Sequence, residues 1–210
     1  MSRSIGIIHY GMGNIASVAN AFEAIGANPL ILSSPAEIHA VEAIVLPGVG
    51  AFGDGIKNLR DGGWIPALET EVLEREKPFL GLCLGMQLLA TTGTEHGHWQ
   101  GLGWIPGIVR KLFSNDPSIR IPHIGWNDTR ILKTGGLYSD ARQPQTHYYV
   151  HSYAFEPEAA EVISAVCDHG QTFAASVETR NIFATQYHPE KSQKAGLAVL
   201  RNFLSKVPHA

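Results

Sequence analysis

Short apolar runs alternate with amphipathic runs through the N-terminal half of the chain. The apolar runs predict strands at 4–10, 29–32, 43–46 and 79–82. Between the first two strands, apolar residues recur at helical spacing from Ile15 to Ile25, and Gly26 is a typical helix-ending residue. Helical spacing returns at 56–60 and 64–76. This alternation predicts parallel strands joined by helices.

The pattern changes after Gly101, because predicted strands now follow one another with few helical runs between them. They lie at 108–112, 146–153, 162–166, 173–177 and 182–186. A last helix is predicted from Gln193 to Leu204, with Ser192 as its N-cap. The predicted fold class is therefore α/β, an open and mostly parallel sheet flanked by helices, with antiparallel strands added in the C-terminal half. No repeat or linker is visible, so we expect one domain over residues 1–210.

Composition narrows the class of protein. The chain has 210 residues, an apolar fraction of 44% and a net charge of −3, which give no reason to expect nucleic acid or a membrane surface as partner. The pattern at the N-terminus is not that of a signal peptide and no apolar run approaches membrane-spanning length, so we expect neither a secreted nor a membrane-spanning chain. The two cysteines lie far apart, so a disulfide framework is not expected, although one disulfide remains open. We expect a cytoplasmic protein.

The segment 79–89 carries the first candidate for chemistry. Its apolar strand leads to Cys83, which lies between Gly81 and Gly85, and an amphipathic run follows at once. The pattern predicts a strand, a sharp turn and a helix, in which side chains at the two glycine positions would crowd the turn. A thiol at a helix N-terminus is favoured as thiolate. A lone intracellular cysteine is more often structural, but the glycines favour a nucleophile.

A nucleophilic cysteine needs a base, and His188 is the best candidate. It follows the predicted strand 182–186, so it would lie at the same sheet edge as Cys83. Glu190 lies two residues further on and, in an extended segment, would point the same way and orient the imidazole. The sequence therefore predicts a Cys83–His188–Glu190 set. Other histidines are weaker candidates as base or metal ligand; they stand at positions 9, 96, 98, 147 and 151.

Two glycine-rich turns follow predicted strands. The loop 47–55 has four glycines in nine residues and would expose backbone N–H groups where open α/β sheets place their sites. The turn 11–14 lacks the third glycine and the acidic residue of a dinucleotide-binding fingerprint. We therefore expect a tight functional turn there and no phosphate site.

Three segments together resemble the signatures of the triad (class I) glutamine amidotransferases. They are GLCLGMQ at 81–87, PGVG at 47–50 and QYHPE at 186–190, and they occur in the expected order. YGMGN at 10–14, HIGWN at 123–127 and YVHSY at 149–153 narrow the resemblance to glutaminase subunits that serve a separate cyclase in histidine biosynthesis. The resemblance implies a flavodoxin-like sheet, with no cofactor and no metal.

The resemblance also implies roles for the residues that match. Cys83 would form a thioester with glutamine and release ammonia, with His188 as acid and base and Glu190 as its orienter. The oxyanion would be held by backbone N–H groups of Leu84 and of the Val49–Gly50 turn, whose peptide would rotate. Further substrate contacts are implied for Gly50 and Gln87, for Glu95 with the α-ammonium, and for the backbone of His151, Ser152 and Tyr153 with the α-carboxylate.

A partner follows from the chemistry, because ammonia released into neutral water becomes mostly ammonium. The resemblance implies a heterodimer with a (β/α)8-barrel cyclase, contacted by Asn14, Trp126 and Lys191. It also implies low glutaminase activity until the partner binds its ligand. Trp126 is a plausible interface anchor, with a core tryptophan as the alternative.

Three other functions stay open on the sequence. A paralogue could supply ammonia for amidation of a surface-polysaccharide sugar. Another cysteine hydrolase could use a similar sheet, although the 10–14 and 123–127 segments argue against it. An inactive binding subunit is the third, and the complete Cys83, His188 and Glu190 set argues against it.

Overall fold

The computed structural model describes residues 3–139 and 144–207. The strands are β1 Ser4–Ile8, β2 Asn28–Leu32, β3 Ala43–Leu46, β4 Phe79–Leu82, β5 Thr92–Gly93, β6 Trp99–Gln100, β7 Gly107–Lys111, β8 His123–Ile131, β9 Gln145–His151, β10 Tyr153–Pro157, β11 Ile163–His169, β12 Gln171–Thr179 and β13 Ile182–Thr185. The helices are α1 Ile15–Glu23, α2 Phe52–Asp61, α3 Trp64–Leu68, α4 Leu84–Gln87 and α5 Gln193–Leu204. A π-helical turn, Glu69–Glu74, continues α3, and 3-10 turns cover Pro35–Ala40, Ala160–Val162 and Pro189–Lys191.

The main sheet has nine strands in the order β2-β1-β3-β4-β13-β12-β11-β8-β9. The five strands from β2 to β13 pair in parallel, and the pairs from β13 to β9 are antiparallel. Strands β3, β4 and β13 are buried along their whole length, as parallel strands covered on both faces must be. The predicted fold class, with its parallel core and antiparallel extension, is confirmed.

Apolar side chains of the central strands feed two cores, one on each face of the sheet. In β3, Ala43 and Val45 face the core that includes Phe22 of α1 and Phe203 of α5. The alternate residues of the same strand face the other core, which takes apolar residues from α2, α3 and the segment after Cys83. This alternation fixes which face each helix covers, and it leaves the carboxyl edge of the sheet to the loops.

A second sheet of four strands, in the order β10-β7-β5-β6, packs into the core that contains α2 and α3. The prediction of one strand over 146–153 was wrong here, because the chain breaks at Ser152. Strand β9 ends the main sheet, and β10 pairs with β7 in the smaller one. The carbonyl of Ser152 accepts from the N–H of Leu112 at 2.8 Å, which holds the bend between the two sheets.

Three further local features differ from the sequence pattern. Strand β8 was missed because it buries the polar His123 and Thr129 and exposes the apolar Ile124 and Trp126, which inverts the usual alternation. The helix after Cys83 is a single turn, α4. Ser192 precedes α5 as predicted, but its side chain makes no capping bond.

The hydroxyl of Ser192 has other partners. It donates to the carbonyl of His188 at 2.6 Å and accepts from the N–H of Tyr148 at 3.0 Å. These bonds tie the 188–191 turn to β9. Among the residues that the structure describes, no helix is long and apolar enough to cross a membrane.

Candidate active site

Strand register places Cys83 beside the segment that contains His188. Strands β4 and β13 are parallel neighbours, and Leu82 pairs with Thr185 at their carboxyl ends. The N–H of Cys83 donates to the carbonyl of Thr185 at 2.8 Å. Residues that are about a hundred positions apart in sequence therefore leave the sheet side by side.

The turn at Cys83 is sharp and strained. Cys83 has a φ of +52°, in the left-handed region that only glycine adopts without cost. A Cβ on Gly81 would lie 2.7 Å from the Gly85 carbonyl oxygen, and one on Gly85 would lie 1.9 Å from that of Leu46. Both neighbours are backbone atoms that cannot swing away. The expectation that side chains at these two positions would crowd the turn is confirmed.

His188 and Glu190 form a buried pair. Nδ1 of His188 lies 2.7 Å from Oε1 of Glu190, and the two side chains are 4% and 2% exposed. Burial by itself lowers the pKa of His188, but the charge of Cys83, together with the proximity of Cys83 and Glu190 to the ring, outweighs it and raises the pKa from 6.5 to about 10. The site therefore favours the protonated, imidazolium form of His188.

The backbone of this pair differs from the extended segment that was expected. His188 itself is extended, but Pro189–Lys191 forms a 3-10 turn. The contact with Glu190 thus arises from a turn, and the strand geometry invoked for it was wrong. The other ring nitrogen, Nε2, is buried and has no hydrogen bond of ordinary geometry within residues 3–139 and 144–207. It is the atom left for proton transfer.

The two expected oxyanion donors lie beside the same cavity, but one of them already donates a hydrogen bond. Val49, Gly50, Cys83 and Leu84 line one cavity. The N–H of Leu84, however, donates to the carbonyl of Gly48 at 3.3 Å. Gly50 has a φ of +110°, which residues with a side chain rarely adopt. Because glycine has no Cβ, the peptide at this position can also rotate more freely. The loop must therefore release Leu84 before that N–H can bind an oxyanion.

The cavity at Cys83 has a volume of about 320 Å³. It is lined by Val49, Gly50, Cys83, Leu84, Gln87, Glu95, Val150, His151, Ser152, Tyr153 and Lys191. All six residues that the resemblance implied for substrate contact are among them. The carboxylate of Glu95 accepts from the N–H of Phe52 at the start of α2, at 2.9 Å, which holds it at the cavity wall. An α-ammonium group is the kind of ligand that such a carboxylate attracts.

His151 on this wall belongs to a buried histidine network. Its Nδ1 is 2.9 Å from the carbonyl of Tyr153, which can only accept, so Nδ1 carries the proton. Its Nε2 then accepts from Nδ1 of His123 at 3.2 Å, and Nε2 of His123 accepts from the Asn127 amide at 3.2 Å. Burial, followed by neighbouring histidines, lowers the pKa of His123 to about 3. The network is therefore neutral.

The other histidine singled out on β9 takes no part in this wall. His147 is fully buried, and its Nδ1 lies 2.8 Å from the hydroxyl of Thr129. Burial lowers its pKa to about 4, so it too is neutral.

The residues expected at a partner interface lie on three different elements, with Asn14 at the start of α1, Trp126 in β8 and Lys191 in the turn after β13. Asn14 caps α1, with its Oδ1 accepting from the N–H of Ser17 at 3.3 Å. Trp126 is 48% exposed, so the core alternative for this residue is wrong. Its ring meets Tyr148 edge-on at 6.0 Å, and Nζ of Lys191 lies 5.9 Å from the centre of the Tyr148 ring.

Gln186 is a buried residue of the site that the sequence reasoning gave no role. Its Nε2 donates to Sγ of Cys83 at 3.6 Å, and its Oε1 accepts from Nε2 of Gln87 at 3.1 Å. The same Nε2 of Gln87 donates to the carbonyl of Tyr153 at 2.8 Å. The available signal was its position in the 186–190 motif, directly after a strand beside β4.

Comparisons with known proteins agree on one family. A family model described as "Glutamine amidotransferase class-I" matches residues 7–207. The chain is 46% identical over 199 residues to "Imidazole glycerol phosphate synthase subunit HisH 1" of Campylobacter jejuni (strain 81-176), with 95% of this chain and 98% of that protein covered. It is 43% identical over 208 residues to the HisH subunit of Moorella thermoacetica, with 99% and 97% covered.

Solved structures support the fold alone, because their sequence identities are low. The chain "Structure of PurLQS from Thermotoga maritima" matches with a TM-score of 0.78 and 19% identity, over 99% of this chain and 100% of that one. "Crystal structure of glutamine amidotransferase" matches with a TM-score of 0.74 and 18% identity, over 96% and 97%.

Proposed function

The chain belongs to the class I glutamine amidotransferase family, and from that membership we propose that it is the glutaminase subunit of an imidazole glycerol phosphate synthase. It hydrolyses L-glutamine to glutamate and ammonia. The observation that carries the proposal is the buried His188–Glu190 pair, which the strand register places beside Cys83 on the wall of one cavity. The curated relatives named above are subunits of the histidine-pathway synthase, so the surface-polysaccharide alternative is not favoured.

In the proposed reaction the Cys83 thiolate attacks the side-chain amide carbon of glutamine. The tetrahedral intermediate collapses as the imidazolium of His188 gives its proton to the leaving nitrogen, so ammonia departs and a γ-glutamyl thioester remains. His188, now neutral, takes a proton from water, and the hydroxide adds to the thioester. Glutamate leaves, the thiolate is restored, and the proton stays on His188. Glu190 holds the ring and its charge through both halves.

The oxyanion of each tetrahedral intermediate needs preorganised donors. We assign them to the N–H of Leu84 and to a backbone N–H of the Val49–Gly50 turn. The hydrogen bond from Leu84 to the Gly48 carbonyl supports a resting state in which Leu84 cannot donate to an oxyanion. Loss of one oxyanion donor lowers the rate by about 10²- to 10³-fold in enzymes of this kind. The chain alone should therefore be a poor glutaminase.

Glutamine itself is proposed to lie along the cavity wall. Glu95 receives its α-ammonium group, and the backbone of His151, Ser152 and Tyr153 receives its α-carboxylate, while Gly50 and Gln87 contact the rest of the molecule. The neutral state of His151 supports this arrangement, because a buried cation there would compete with the α-ammonium for Glu95.

The proposed partner is a HisF-type cyclase, a (β/α)8 barrel that uses the ammonia to make imidazole glycerol phosphate and AICAR. Exposed apolar side chains support docking beside the cavity: Val49 is 42%, Ile124 62% and Trp126 48% exposed. Asn14 and Lys191 complete the proposed interface. A partner seated on this edge would receive ammonia without its passage through water.

We also propose a cytoplasmic location. Both cysteines, Cys83 and Cys167, are free thiols, as is usual in a reducing compartment.

The proposal is tested by co-expression with a HisF-type cyclase and by complementation of a histidine auxotroph that lacks the glutaminase subunit. We expect the two chains to co-purify, and glutamate release to rise when the cyclase binds its nucleotide ligand. Failure to complement, with an intact and associated cyclase present, would contradict the histidine-pathway assignment. Absence of glutamate release from the liganded complex would contradict the glutaminase activity.

A further inference from the structure

A chain of three hydrogen bonds leads from the cavity wall to the nucleophile. It starts at the carbonyl of Tyr153, passes through the side-chain amides of Gln87 and Gln186, and ends at Sγ of Cys83. Gln186 is fully buried and Gln87 is 4% exposed, so water does not compete for these bonds. A buried network of this kind persists only where each member has its partner.

The carbonyl of Tyr153 fixes the donor and acceptor roles in all three hydrogen bonds. A carbonyl oxygen can only accept, so the Gln87 group that meets Tyr153 must be the NH₂. The second hydrogen of that NH₂ points to Gln186, whose facing atom must therefore be its oxygen. It follows that Gln186 presents its own NH₂ to Cys83. The sulfur is thus the terminal acceptor, which is the role of a thiolate.

We propose that Gln186 stabilises the Cys83 thiolate by donating a hydrogen bond whose direction is imposed by Gln87 and the carbonyl of Tyr153. The inference rests on the proposed function, in which Cys83 is the nucleophile. Two groups would then stabilise the sulfur in different ways. His188 supplies positive charge and the mobile proton, and Gln186 supplies a fixed donor that takes no part in proton transfer.

A second consequence concerns geometry. The sulfur is set on a strained turn, with Cys83 at a φ of +52°. A donor held by two further bonds limits where the sulfur can lie, so Gln186 also aims the nucleophile at the cavity. Charge-assisted hydrogen bonds are about twice as strong as neutral ones, and the effect should therefore be larger on the thiolate than on the thiol.

The test is the rate of alkylation of Cys83 by iodoacetamide in the full-length chain, followed by peptide mass spectrometry. Iodoacetamide is small and neutral and requires no glutamine site. Cys167 is an internal reference, because burial raises its pKa to about 12 and it should not react. Gln186→Met removes both the acceptor and the donor. Gln186→Glu keeps the oxygen that accepts from Gln87 but turns a carboxylate oxygen towards the sulfur.

We expect both variants to be alkylated at least about tenfold more slowly than wild type at neutral pH, as loss of a hydrogen bond to a charged group implies. The pH profile of alkylation should move upward by about one pH unit, and at least as far for Gln186→Glu as for Gln186→Met. The Glu variant keeps the size of the side chain and the bond to Gln87, so it disturbs the packing less than the Met variant does.

Thr185→Val is the matched control for a merely structural effect. It removes a buried hydrogen bond of the same segment, from the Thr185 hydroxyl to the carbonyl of Tyr187, and leaves the sulfur contact in place. Its alkylation profile should match that of wild type. Alkylation of folded Gln186→Glu within about twofold of wild type would overturn the inference. Wild-type complex that fails to hydrolyse glutamine would instead overturn the proposed function, whatever the alkylation profiles show.

Discussion

Glu190→Gln provides the sharpest test of the proposed catalytic set. The change preserves the size of the side chain and removes its charge. A glutamine can still accept from Nδ1 of His188, so the ring can keep its orientation. What is lost is the negative charge 2.7 Å from the ring, in a place where both side chains are almost fully buried. Solvent screening therefore does little to weaken the pair.

The size of the effect follows from that burial. A hydrogen bond to a charged group contributes about 1.5–3 kcal/mol, more than a neutral bond does. If most of this stabilises the imidazolium that protonates the leaving amine, kcat should fall by about 10- to 100-fold. KM for glutamine should change little, because Glu190 does not line the cavity.

The assay is glutamate release by the complex with the cyclase and its ligand, with ammonia-dependent synthesis as an internal control that Glu190→Gln should not affect. Glu71→Gln is the matched variant, since Glu71 is also buried and ion-paired, with Arg75 and Lys77, but lies outside the cavity. It should cost stability and leave kcat unchanged. Equal kcat values for the two variants and wild type would refute the role of Glu190.

The raised pKa of His188, caused first by the charge of Cys83 and then by Glu190, makes stability depend on pH. In the folded chain the pKa of His188 is raised from its ordinary 6.5 to about 10, so the folded state binds the proton more tightly. That contribution is complete below pH 6.5 and is lost as the pH rises towards about 10. Urea unfolding of wild type should therefore show a decline in stability across this window, and Glu190→Gln a shallower one. Parallel pH curves would contradict this interpretation.

Three further predictions concern other parts of the site. Cys83→Ala should abolish glutamine-dependent synthesis and leave ammonia-dependent synthesis intact. Equal loss of both activities would contradict the assignment of glutamine hydrolysis to this chain and of synthesis to the cyclase. Gly85→Ala should lower the free energy of unfolding by about 3 kcal/mol or more, because its methyl would lie 1.9 Å from a backbone oxygen. Gly55→Ala meets only side-chain atoms at 3.0 Å or more and should be tolerated in the same denaturation assay. Trp126→Ala should weaken cyclase binding by about 30-fold or more in calorimetry, as for an interface hot spot, whereas the exposed Leu30→Ala on β2 should have no effect; equal affinities would contradict the interface.

Local patterns predicted much of the fold. The buried parallel strands β3 and β4 were predicted with the bounds that the structure has, because continuous apolar runs between breakers allow few other structures. Helix α5 was predicted equally well from its apolar periodicity. Strand β8 was missed because its exposed Trp126 and buried His123 make sense only once a neighbouring strand and an exposed face exist.

The candidate site, too, was predicted only in part from the sequence. Cys83, His188 and Glu190 were identified from residue types, spacing and motif resemblance. The route by which Glu190 reaches His188 was not, since it depends on a 3-10 turn where an extended segment was expected. Gln186 was overlooked although it lies within a quoted motif, because its two partners are 103 and 99 residues away in sequence.

The sequence by itself thus determined the family, the parallel core and the candidate nucleophile, because these depend on residues that are close together in the chain. Tertiary structure decided the protonation and hydrogen bonding of the site. It set the hydrogen bond that occupies the N–H of Leu84, the direction of the Gln186 amide and the neutral state of His151. These properties depend on strand order, register and burial, which bring distant polar groups together and exclude the water that would otherwise satisfy them.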